Sequence, residues 1–375
     1  MNEGVIVQNG FIINPETSVI EKNDIGIING VFAEVEDVKN SGDNIQYIDA
    51  SGYYVSPGFI DLHAHLFKDY TELGIDPDLV GIEQGVTTIV DAGSAGYDNY
   101  QTFRETVIEK SQTEILAFLN ISRKGLCNGL SELSNLNELM SIEEAKEIFQ
   151  KEESIVGLKA RMSGSVVKDS GIKPLKHARY LADELGRPIM VHIGNPPPNL
   201  QEIFPLLQNG DIVTHAFHGK KHGILTESGD MIPEAMRAIE RGVRFDVGHG
   251  TSSFSYKTMR KFRDKYDIAF TISTDIYKKN YSNPVGSLMI TMTKLLSLGY
   301  SLTEVVNAVT KRAADSLHLT EQGTLRIGSV ADVTIFGLNE ESESALIDSE
   351  GEELSCYQEI TPYITLKAGK VAYAK

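Results

Sequence analysis

The stretch Val55-Ser56-Pro57-Gly58-Phe59-Ile60-Asp61-Leu62-His63-Ala64-His65-Leu66 decides how the rest of this chain is interpreted. An apolar run leads into two histidines, and alternating strand side chains place residues two apart on the same face. If residues 59–66 form a strand, His63 and His65 project together from its end. Two imidazoles on one rigid element suit a transition-metal ion. A lone His-x-His pair also fits ordinary surface histidines, so the metal interpretation needs support elsewhere in the chain.

Composition and charge exclude several classes of partner. The chain has 375 residues, of which 41% are hydrophobic and 23% charged, and its formal net charge is -17. Such usage is typical of a globular protein with a substantial core. The negative charge argues against non-specific binding to nucleic acid or to an anionic membrane. An anionic small substrate remains compatible, because a metal site creates its own local field.

The sequence indicates a reduced compartment. The opening MNEGVIVQNG has no basic segment followed by an apolar one, so we expect no signal peptide. No apolar run is long enough to span a bilayer. Cys127 and Cys356 lie far apart and form no C-x-x-C pair. The simplest expectation is a cytoplasmic protein.

Short β-rich segments mark both ends of the chain. Asn9-Gly10 and Asn29-Gly30 each lie between two such segments and predict hairpins. Residues 331–336, 363–366 and 370–373 have the same character. We therefore predict one small β-sandwich domain built from residues 1–55 plus 320–375; two separate flaps would leave many strand edges unpaired. The acidic residues 340–353 are expected to form an exposed loop.

Strand and helix patterns alternate through the middle of the chain. We predict eight strands, at residues 59–66, 87–92, 115–121, 156–162, 189–193, 212–216, 244–247 and 269–273. Helices are predicted at residues 141–150, 174–185, 200–207, 233–241, 256–265, 287–298 and 302–314. Repeated βα units predict an α/β protein whose residues 56–319 form a (β/α)8 TIM barrel. An open doubly wound sheet is the alternative, although no G-x-G-x-x-G follows a first strand.

Chemically active residues fall at equivalent positions on several of these strands. Active sites of such barrels lie at the carboxyl ends of the strands. Strand one ends in the histidine pair, strands five and six end at His192 and His215, and strand eight ends at Asp275. Taken singly, either histidine could be a satisfied core residue, and Asp275 could cap a loop. Their joint placement favours a metal centre.

Lys159 lies inside the apolar fourth strand and is the most informative residue. Burying a charged, unpaired lysine costs several kcal/mol, so its pKa should fall. A neutral amine reacts with carbon dioxide to give a carbamate, which is a carboxylate able to bridge two cations. The alternative is a lysine that extends to the barrel mouth and pairs with a carboxylate there. With histidines and an aspartate around it, we favour the bridge.

These segments together resemble the amidohydrolase superfamily, in its binuclear branch with a carboxylated lysine. The matching segments are PGFIDLHAH, GLKAR, MVHIG, VTHAFHG and STDIY, in that order, and residues 323–332 resemble the superfamily's return to its β-domain. The resemblance covers nearly the whole chain. Within the superfamily, KARMS, HIGNPPP, FDVGHGT and ISTDIY are similar to dihydroorotase-like and deacetylase-like members, whose labels conflict. The subgroup therefore does not decide the substrate.

The resemblance implies a role for each matched residue. His63, His65 and Asp275 would hold the more buried metal ion, and His192 and His215 the more exposed one. Carboxylated Lys159 would bridge the two ions, with a water or hydroxide as the second bridge. Asp275 would also be catalytic, taking the hydroxide's proton and returning it to the leaving group. Zinc is the expected metal, although manganese or iron would fit the same ligands.

Several further residues are candidates for substrate contacts. Arg161 shares a strand face with Lys159 and would bind a substrate carboxylate in a bidentate manner, or else form a salt bridge at the rim. His218 in the loop after strand six and His249 at the end of strand seven would also contact substrate; His249 could instead orient a neighbouring group. Weaker candidates are His222, Asn195, Tyr97, Tyr277 and Asp91, for which loop, rim or backbone roles are the alternatives.

Taken together, these residues predict a metal-dependent hydrolase of amide or ester bonds that uses metal-activated hydroxide. We expect a deacylase of small N- or O-acylated carboxylic acids, anchored by Arg161. A dihydroorotase-like cyclic amide hydrolase is the first alternative. An adenine aminohydrolase follows, although Lys159 counts against it, and a non-catalytic scaffold comes last, since all six ligand positions are present. The expected partner is a small molecule, and a homo-oligomer is compatible with a barrel of this size.

Overall fold

Two groups of strands organise the computed structural model, which describes residues 3–42, 44–340 and 344–375. The first group is a parallel sheet in the middle of the chain. Its strands are β6 (Phe59–Ala64), β7 (Val86–Ala92), β8 (Glu114–Asn120), β9 (Ile155–Met162), β10 (Ile189–Ile193), β11 (Ile212–Thr214) and β12 (Arg244–Phe245). They pair in sequence order, each parallel to the next. This order is that of the predicted TIM barrel, and the α/β class is confirmed.

The eighth segment closes the barrel without becoming a regular strand. On one side Thr271 N donates to Phe245 O at 3.0 Å and Val247 N donates to Thr271 O at 3.0 Å. On the other side Asp275 N donates to His63 O at 2.7 Å. The predicted eighth strand is present only as isolated bridges, of Asp246 with Thr271 and of Ala64 with Ile276, and Asp275 lies between them with a φ of 49°.

Helices lie at each of the predicted places, and the described residues form further helices that were not predicted. They are α1 (Val35–Asn40), α2 (Pro77–Val80), α3 (Tyr100–Thr106), α4 (Ile142–Lys151), α5 (Gly164–Val167), α6 (Lys173–Leu185), α7 (Leu200–Ile203), α8 (Pro233–Glu240), α9 (Tyr256–Lys265), α10 (Leu288–Ser297), α11 (Leu302–Ala308) and α12 (Lys311–Ser316). Short 3₁₀ turns lie at Ile82–Gln84, Tyr97–Asn99, Ile108–Lys110, Gly125–Asn128, Leu136–Glu138, Lys168–Ser170 and Phe204–Leu206. Ser141 caps α4 in a capping box, which explains why the helix begins there. The predicted helix 302–314 is two helices, because Thr310 leaves the helical region with φ -123° and ψ -97°.

Both chain ends contribute to the second sheet. Its strands are β1 (Gly4–Asn14), β2 (Val19–Ile28), β3 (Val31–Ala33), β4 (Ile45–Asp49), β5 (Tyr54–Pro57), β13 (Val333–Asn339), β16 (Glu359–Lys367) and β17 (Lys370–Ala374). Antiparallel pairing of β5 with β13 joins the two ends, as predicted. The strands form one hydrogen-bonded sheet with its own apolar core, which includes Val7, Ile27, Val55 and Ile335. The division into residues 1–55 plus 320–375 and residues 56–319 stays a prediction.

One of the two predicted hairpins is wrong. Asn9-Gly10 lies within the continuous strand β1, where the register with β2 shifts and Asn9 has a φ of 65°. Asn9-Gly10 therefore forms a β-bulge rather than a turn, and Asn9 N donates to Asp24 Oδ1 at 2.9 Å. Asn29-Gly30 does connect β2 to β3, with φ values of 51° and 83° that suit a tight hairpin turn.

The predicted exposed loop is instead an ordered hairpin over most of its length. Residues 341–343 lie outside the described residues, but β14 (Ser344–Ile347) pairs antiparallel with β15 (Glu353–Cys356). Its turn docks on the barrel: Asp348 Oδ2 accepts from Tyr256 N at 2.9 Å, and Ser349 N donates to Phe254 O at 3.0 Å. Acidic composition suggested solvent exposure, whereas these carboxylates accept backbone hydrogen bonds at the barrel mouth.

Among the helices that the structure describes, none is long and apolar enough to cross a membrane.

Candidate metal centre

Two histidines and an aspartate converge at the carboxyl end of the barrel. His63 Nε2 lies 3.3 Å and His65 Nε2 3.2 Å from the same oxygen, Asp275 Oδ1. His63 is in β6, His65 directly follows it, and Asp275 ends the closing segment. The three ligand atoms lie within 4.8 Å of one another. These three side chains could therefore bind a metal ion together.

Hydrogen bonding on the far side of His63 sets its tautomer. His63 Nδ1 lies 2.9 Å from Thr214 Oγ1, and that hydroxyl donates its own proton to Asp246 Oδ2 at 2.8 Å. Thr214 must therefore accept from His63 Nδ1–H, which leaves a lone pair on Nε2. Burial lowers the pKa of His63 well below its usual value, so the ring is neutral. A lone pair facing a carboxylate oxygen is unfavourable without a cation between them, which fits a metal ion.

His215 has the same tautomer as His63. Its Nδ1–H donates to Gly248 O at 2.6 Å, so its Nε2 also carries a lone pair. That Nε2 is buried and has no hydrogen-bond partner among the described residues. The ring lies with its centroid 4.3 Å from that of half-buried His192, in β10. The His215 ring centroid also lies 5.1 Å from that of His63, so these two further imidazoles lie next to the first group.

Lys159 lies between these groups and is fully buried. Its Nζ is 3.3 Å from His63 Nε2. Burial lowers the pKa of Lys159 to about 7, against the opposing pull of Asp275. Gly93 makes room for the lysine stem: a Cβ there would lie 2.7 Å from Lys159 Cγ. A large fraction of the amine is thus neutral near physiological pH, as carbamate formation requires.

The backbone holds Asp275 in a left-handed conformation that aims its carboxylate at the centre. Asn280 Nδ2 donates to Asp275 O at 2.8 Å, which supports the turn. A Cβ at Gly250 would lie 2.4 Å from Asp275 Oδ2, so glycine is required beside it. Burial raises the pKa of Asp275, but hydrogen bonding from His65 and the charges around it prevail and lower the value. The carboxylate is therefore ionised.

Sequence reasoning missed the polar residues that support the centre. Asp61 accepts from Thr274 Oγ1 at 2.5 Å and from Thr274 N at 3.0 Å, which fixes the residue before Asp275. Ser94 Oγ lies 3.0 Å from His65 Nδ1. Asp91 accepts from Ser94 N at 2.7 Å and so satisfies a backbone group, as its alternative interpretation proposed. The available signal was a polar residue inside an otherwise apolar strand.

Arg161 forms a salt bridge with Glu132, a partner that the sequence did not indicate. Its Nη1 donates to Glu132 Oε2 at 3.1 Å. The Glu132 side chain is fully buried, and its Oε1 has no partner among the described residues. Arg161 pairs in register with His192 on the neighbouring strand. The guanidinium therefore lies beside the metal centre, with part of its hydrogen-bonding capacity left.

The other candidate residues are divided between the site and its surroundings. His249 is fully buried, and its Nε2 accepts from Lys294 Nζ at 2.8 Å. Tyr277 lies with its ring centroid 6.4 Å from that of His65 and bonds Thr251, so it is at the site. Tyr97 is not, because its hydroxyl donates to Glu147 on α4. The remaining candidates lie in loops: His218 is buried, whereas His222 and Asn195 are exposed.

The donor set indicates the kind of ion that the centre would hold. Imidazole nitrogens with carboxylate oxygens suit zinc, and manganese or iron next. The fixed lone pairs of His63 and His215 fit such an ion, because the opposite nitrogens are already committed to oxygen acceptors. A metal ion held by this set would lower the pKa of bound water and polarise a carbonyl group.

The chain is similar to known proteins in sequence and in structure. The model for the amidohydrolase family matches residues 54–371. A deacetylase of Enterococcus faecalis is 37% identical over 377 residues, covering 99% of each chain. A solved structure described as an adenine deaminase is 36% identical, with a TM-score of 0.90 and 99% of each chain covered. Another, described as a dihydroorotase, is 32% identical, with a TM-score of 0.88 and 99% of this chain and 98% of that one covered.

Proposed function

The chain belongs to the amidohydrolase family and is a metal-dependent hydrolase, and from this premise we propose that it is a binuclear deacylase. The observation that carries the proposal is the convergence of His63, His65 and Asp275 next to His192, His215 and buried Lys159. The substrate is a small molecule. We propose an N- or O-acylated small carboxylic acid, and the similarity to a deacetylase supports that class.

In this proposal, His63, His65 and Asp275 would hold the more buried ion, and His192 and His215 would hold the other. Lys159 would supply a further carboxylate to the centre as a carbamate, once its neutral Nζ has formed a bond to the carbon of carbon dioxide and lost a proton to solvent. Two zinc ions are the expected occupants. When bound, they supply Lewis acidity to the scissile carbonyl and make water acidic enough to act as nucleophile.

The side chains of the chain itself move the proton and hold the substrate. Asp275 is ionised and projects into the centre, so it accepts the proton of the attacking water and returns it to the leaving group. Arg161 binds the substrate carboxylate through the N–H groups that Glu132 leaves free. His218 and His249, whose side chains are both buried, remain proposed substrate contacts.

A dihydroorotase-like cyclic amide hydrolase is the second candidate, because the same metal chemistry opens a cyclic amide. The structural likeness to a protein described as a dihydroorotase supports it. The likeness to one described as an adenine deaminase keeps aminohydrolysis among the outcomes to be measured.

Metal content and turnover test the proposal together. Purified protein should contain two metal ions per chain, and its intact mass should fall by one carbon dioxide after acid treatment. The metal-loaded protein should hydrolyse N-acylated amino acids or O-acylated hydroxy acids and release the acyl group as a free carboxylic acid. Hydrolysis of a cyclic amide to the open ureido acid would instead support the second candidate. Ammonia from adenine, with one metal ion and no acid-labile mass, would overturn the binuclear deacylase.

We also propose that the enzyme acts in the cytoplasm. Cys127 and Cys356 are both free thiols, which suits a reducing compartment. Association into a homo-oligomer remains a prediction.

A further inference from the structure

A cleft of about 600 Å³ lies along the loop that follows β11. Its walls include loop residues 218–227, the start of α9 and the turn of the β14–β15 hairpin. Burial lowers the pKa of Lys220 in this loop, and the carboxylate of Asp275 opposes the shift. His218 N in the same loop donates to His215 O at 3.3 Å, so the loop adjoins one of the proposed metal ligands. The cleft therefore lies next to the proposed metal centre.

Lysines outnumber carboxylates in this cleft. Lys220, Lys221 and Lys257 line it, and no carboxylate among the described residues lies within ion-pair distance of any of them. Glu227 and Glu350 also line the cleft, and Glu350 Oε2 accepts from Ser255 Oγ at 2.8 Å. An unpaired and partly buried ammonium such as Lys220 is costly unless an anion accompanies it. The chain has a formal net charge of -17, so this group of lysines is a locally positive region of an acidic protein.

His218 adds a neutral donor to the same place. Lys220 N–H donates to His218 Nδ1 at 3.1 Å, so Nδ1 carries the lone pair and the proton is on Nε2. The side chain is buried, with 2% of the residue exposed, and its Nε2–H has no partner among the described residues. A buried donor without an acceptor beside unpaired ammonium groups fits an anionic ligand.

Arg161 does not provide an equivalent site. Its charge is offset by fully buried Glu132, so the pair is close to neutral. Arg161 can orient a carboxylate next to the metal centre, but uncompensated positive charge lies at Lys220 instead.

We propose that the loop Phe217–Gly223 forms a second anion subsite, in which Lys220 and the Nε2–H of His218 bind a carboxylate or phosphate group remote from the scissile bond. Lys221 and Lys257 form its outer edge. This inference rests on the proposed deacylase function and narrows it to acylated acids that carry a second anionic group. Arg161 then faces the first carboxylate and Lys220 the second.

A matched substrate pair tests the inference. N-acetylglutamate and N-acetylglutamine have nearly the same shape and differ in one remote charge. The metal-loaded enzyme should show a KM about tenfold lower for the acid, which is the effect of one charge-assisted hydrogen bond. In Lys220→Met that preference should shrink to less than about twofold. Lys110→Met, an exposed lysine elsewhere, is the control and should keep the wild-type preference. Equal KM values in the wild type, or an unchanged preference in Lys220→Met, would overturn the subsite.

Two histidine variants separate the Nε2–H from the fold of the loop. In His218→Asn the amide oxygen replaces Nδ1 as acceptor for Lys220 N–H, but no donor replaces Nε2. In His218→Gln the amide nitrogen can reach the Nε2 position. The preference for the acid should fall in the first variant and be largely retained in the second. Loss of the preference in both, with normal circular dichroism, would contradict the assigned role of Nε2–H.

Calorimetric binding distinguishes failure of the subsite from failure of the proposed function. Glutarate, glutaramate and inorganic phosphate are titrated into the metal-loaded enzyme and into Lys220→Met. Binding of glutarate or phosphate about tenfold tighter to the wild type supports the subsite even if no acetylated compound is hydrolysed. The anion whose affinity falls more in Lys220→Met shows whether the subsite prefers a carboxylate or a phosphate group. Turnover without any dependence on Lys220 would keep the deacylase and reject the subsite.

Discussion

Thr214 Oγ1 lies 2.9 Å from His63 Nδ1 and cannot donate to it, because its own proton is directed to Asp246. Asp246 accepts from three hydroxyl groups in all, those of Thr214, Thr271 and Ser273. This buried carboxylate thereby fixes the hydroxyl, and the hydroxyl fixes the tautomer of His63. The nitrogen that faces Asp275 is consequently a lone pair before any metal ion arrives.

Thr214→Val should weaken metal binding without disturbing the fold. The variant leaves His63 Nδ1–H unpaired and frees the ring to rotate or change tautomer, and loss of such support costs about 10- to 100-fold in metal affinity. Competition with a chelator measures the affinity. Thr291→Val removes an equally buried hydroxyl from α10, far from the proposed ligands in sequence, and should leave the affinity unchanged. Equal affinities for both variants would show that Thr214 does not orient His63.

Lys159→Met should lower the metal content while making the metal-free protein no less stable. The variant cannot form a carbamate, so one ion or none should remain and the acid-labile mass should vanish. Replacing a buried amine by an apolar side chain of similar volume should change the free energy of unfolding by about 0 to +2 kcal/mol, since burial of the charged form is avoided. Metal analysis and urea unfolding measure the two effects. Lys294→Met changes another fully buried lysine and should retain two ions.

Arg161→Met should raise KM and destabilise the protein for different reasons. Loss of a charge-assisted contact should raise KM for a carboxylate substrate about tenfold. Buried Glu132 would also be left unpaired, which costs about 3–5 kcal/mol of unfolding free energy. The double variant with Glu132→Gln should recover much of the stability but not KM. Recovery of both would mean that Arg161 acts only through the fold.

Lys294 should make stability depend on pH above neutrality. Burial lowers the pKa of Lys294 from 10.5 to about 7, so between these values the unfolded chain binds more protons than the folded one. The free energy of unfolding must then rise with pH across this window, by at most about 1.4 kcal/mol per pH unit, and lose that contribution as pH falls through 7. Unfolding of the wild type minus that of Lys294→Met isolates the effect. A flat difference from pH 7 to 10 would contradict it.

Asp348→Ala should release the β14–β15 hairpin from the barrel. The Asp348 carboxylate accepts from Tyr256 N, Glu350 N and Glu352 N, and losing it leaves a buried N–H unsatisfied at a cost of about 1–3 kcal/mol. Limited proteolysis should then cut between residues 340 and 356 faster than in the wild type. Ser355→Ala, at an exposed position of β15, is the control. Unchanged cleavage would mean that other contacts hold the turn.

Regular periodicity made the barrel predictable. Strands buried on both faces give continuous apolar runs, and the helices between them carry proline and serine start signals, as at Ser141. The ligand candidates were visible for the same reason: a charged or imidazole side chain stands out at the end of an apolar strand. Irregular backbone was less predictable. Asn9-Gly10 suits either a turn or a bulge, and only the pairing of β1 with β2 and β5 decides between them.

The sequence by itself determined the α/β barrel, the joining of the two chain ends and the candidates for metal binding, of which His63, His65 and Asp275 converge in the structure. It did so because these properties depend on local periodicity and on residue type. The tertiary structure decided which nitrogen of His63 and His215 carries a lone pair, that Arg161 is offset by Glu132, and that Lys220 has no carboxylate partner among the described residues. Those properties depend on contacts between segments far apart in the chain, whose distances and burial no local pattern specifies.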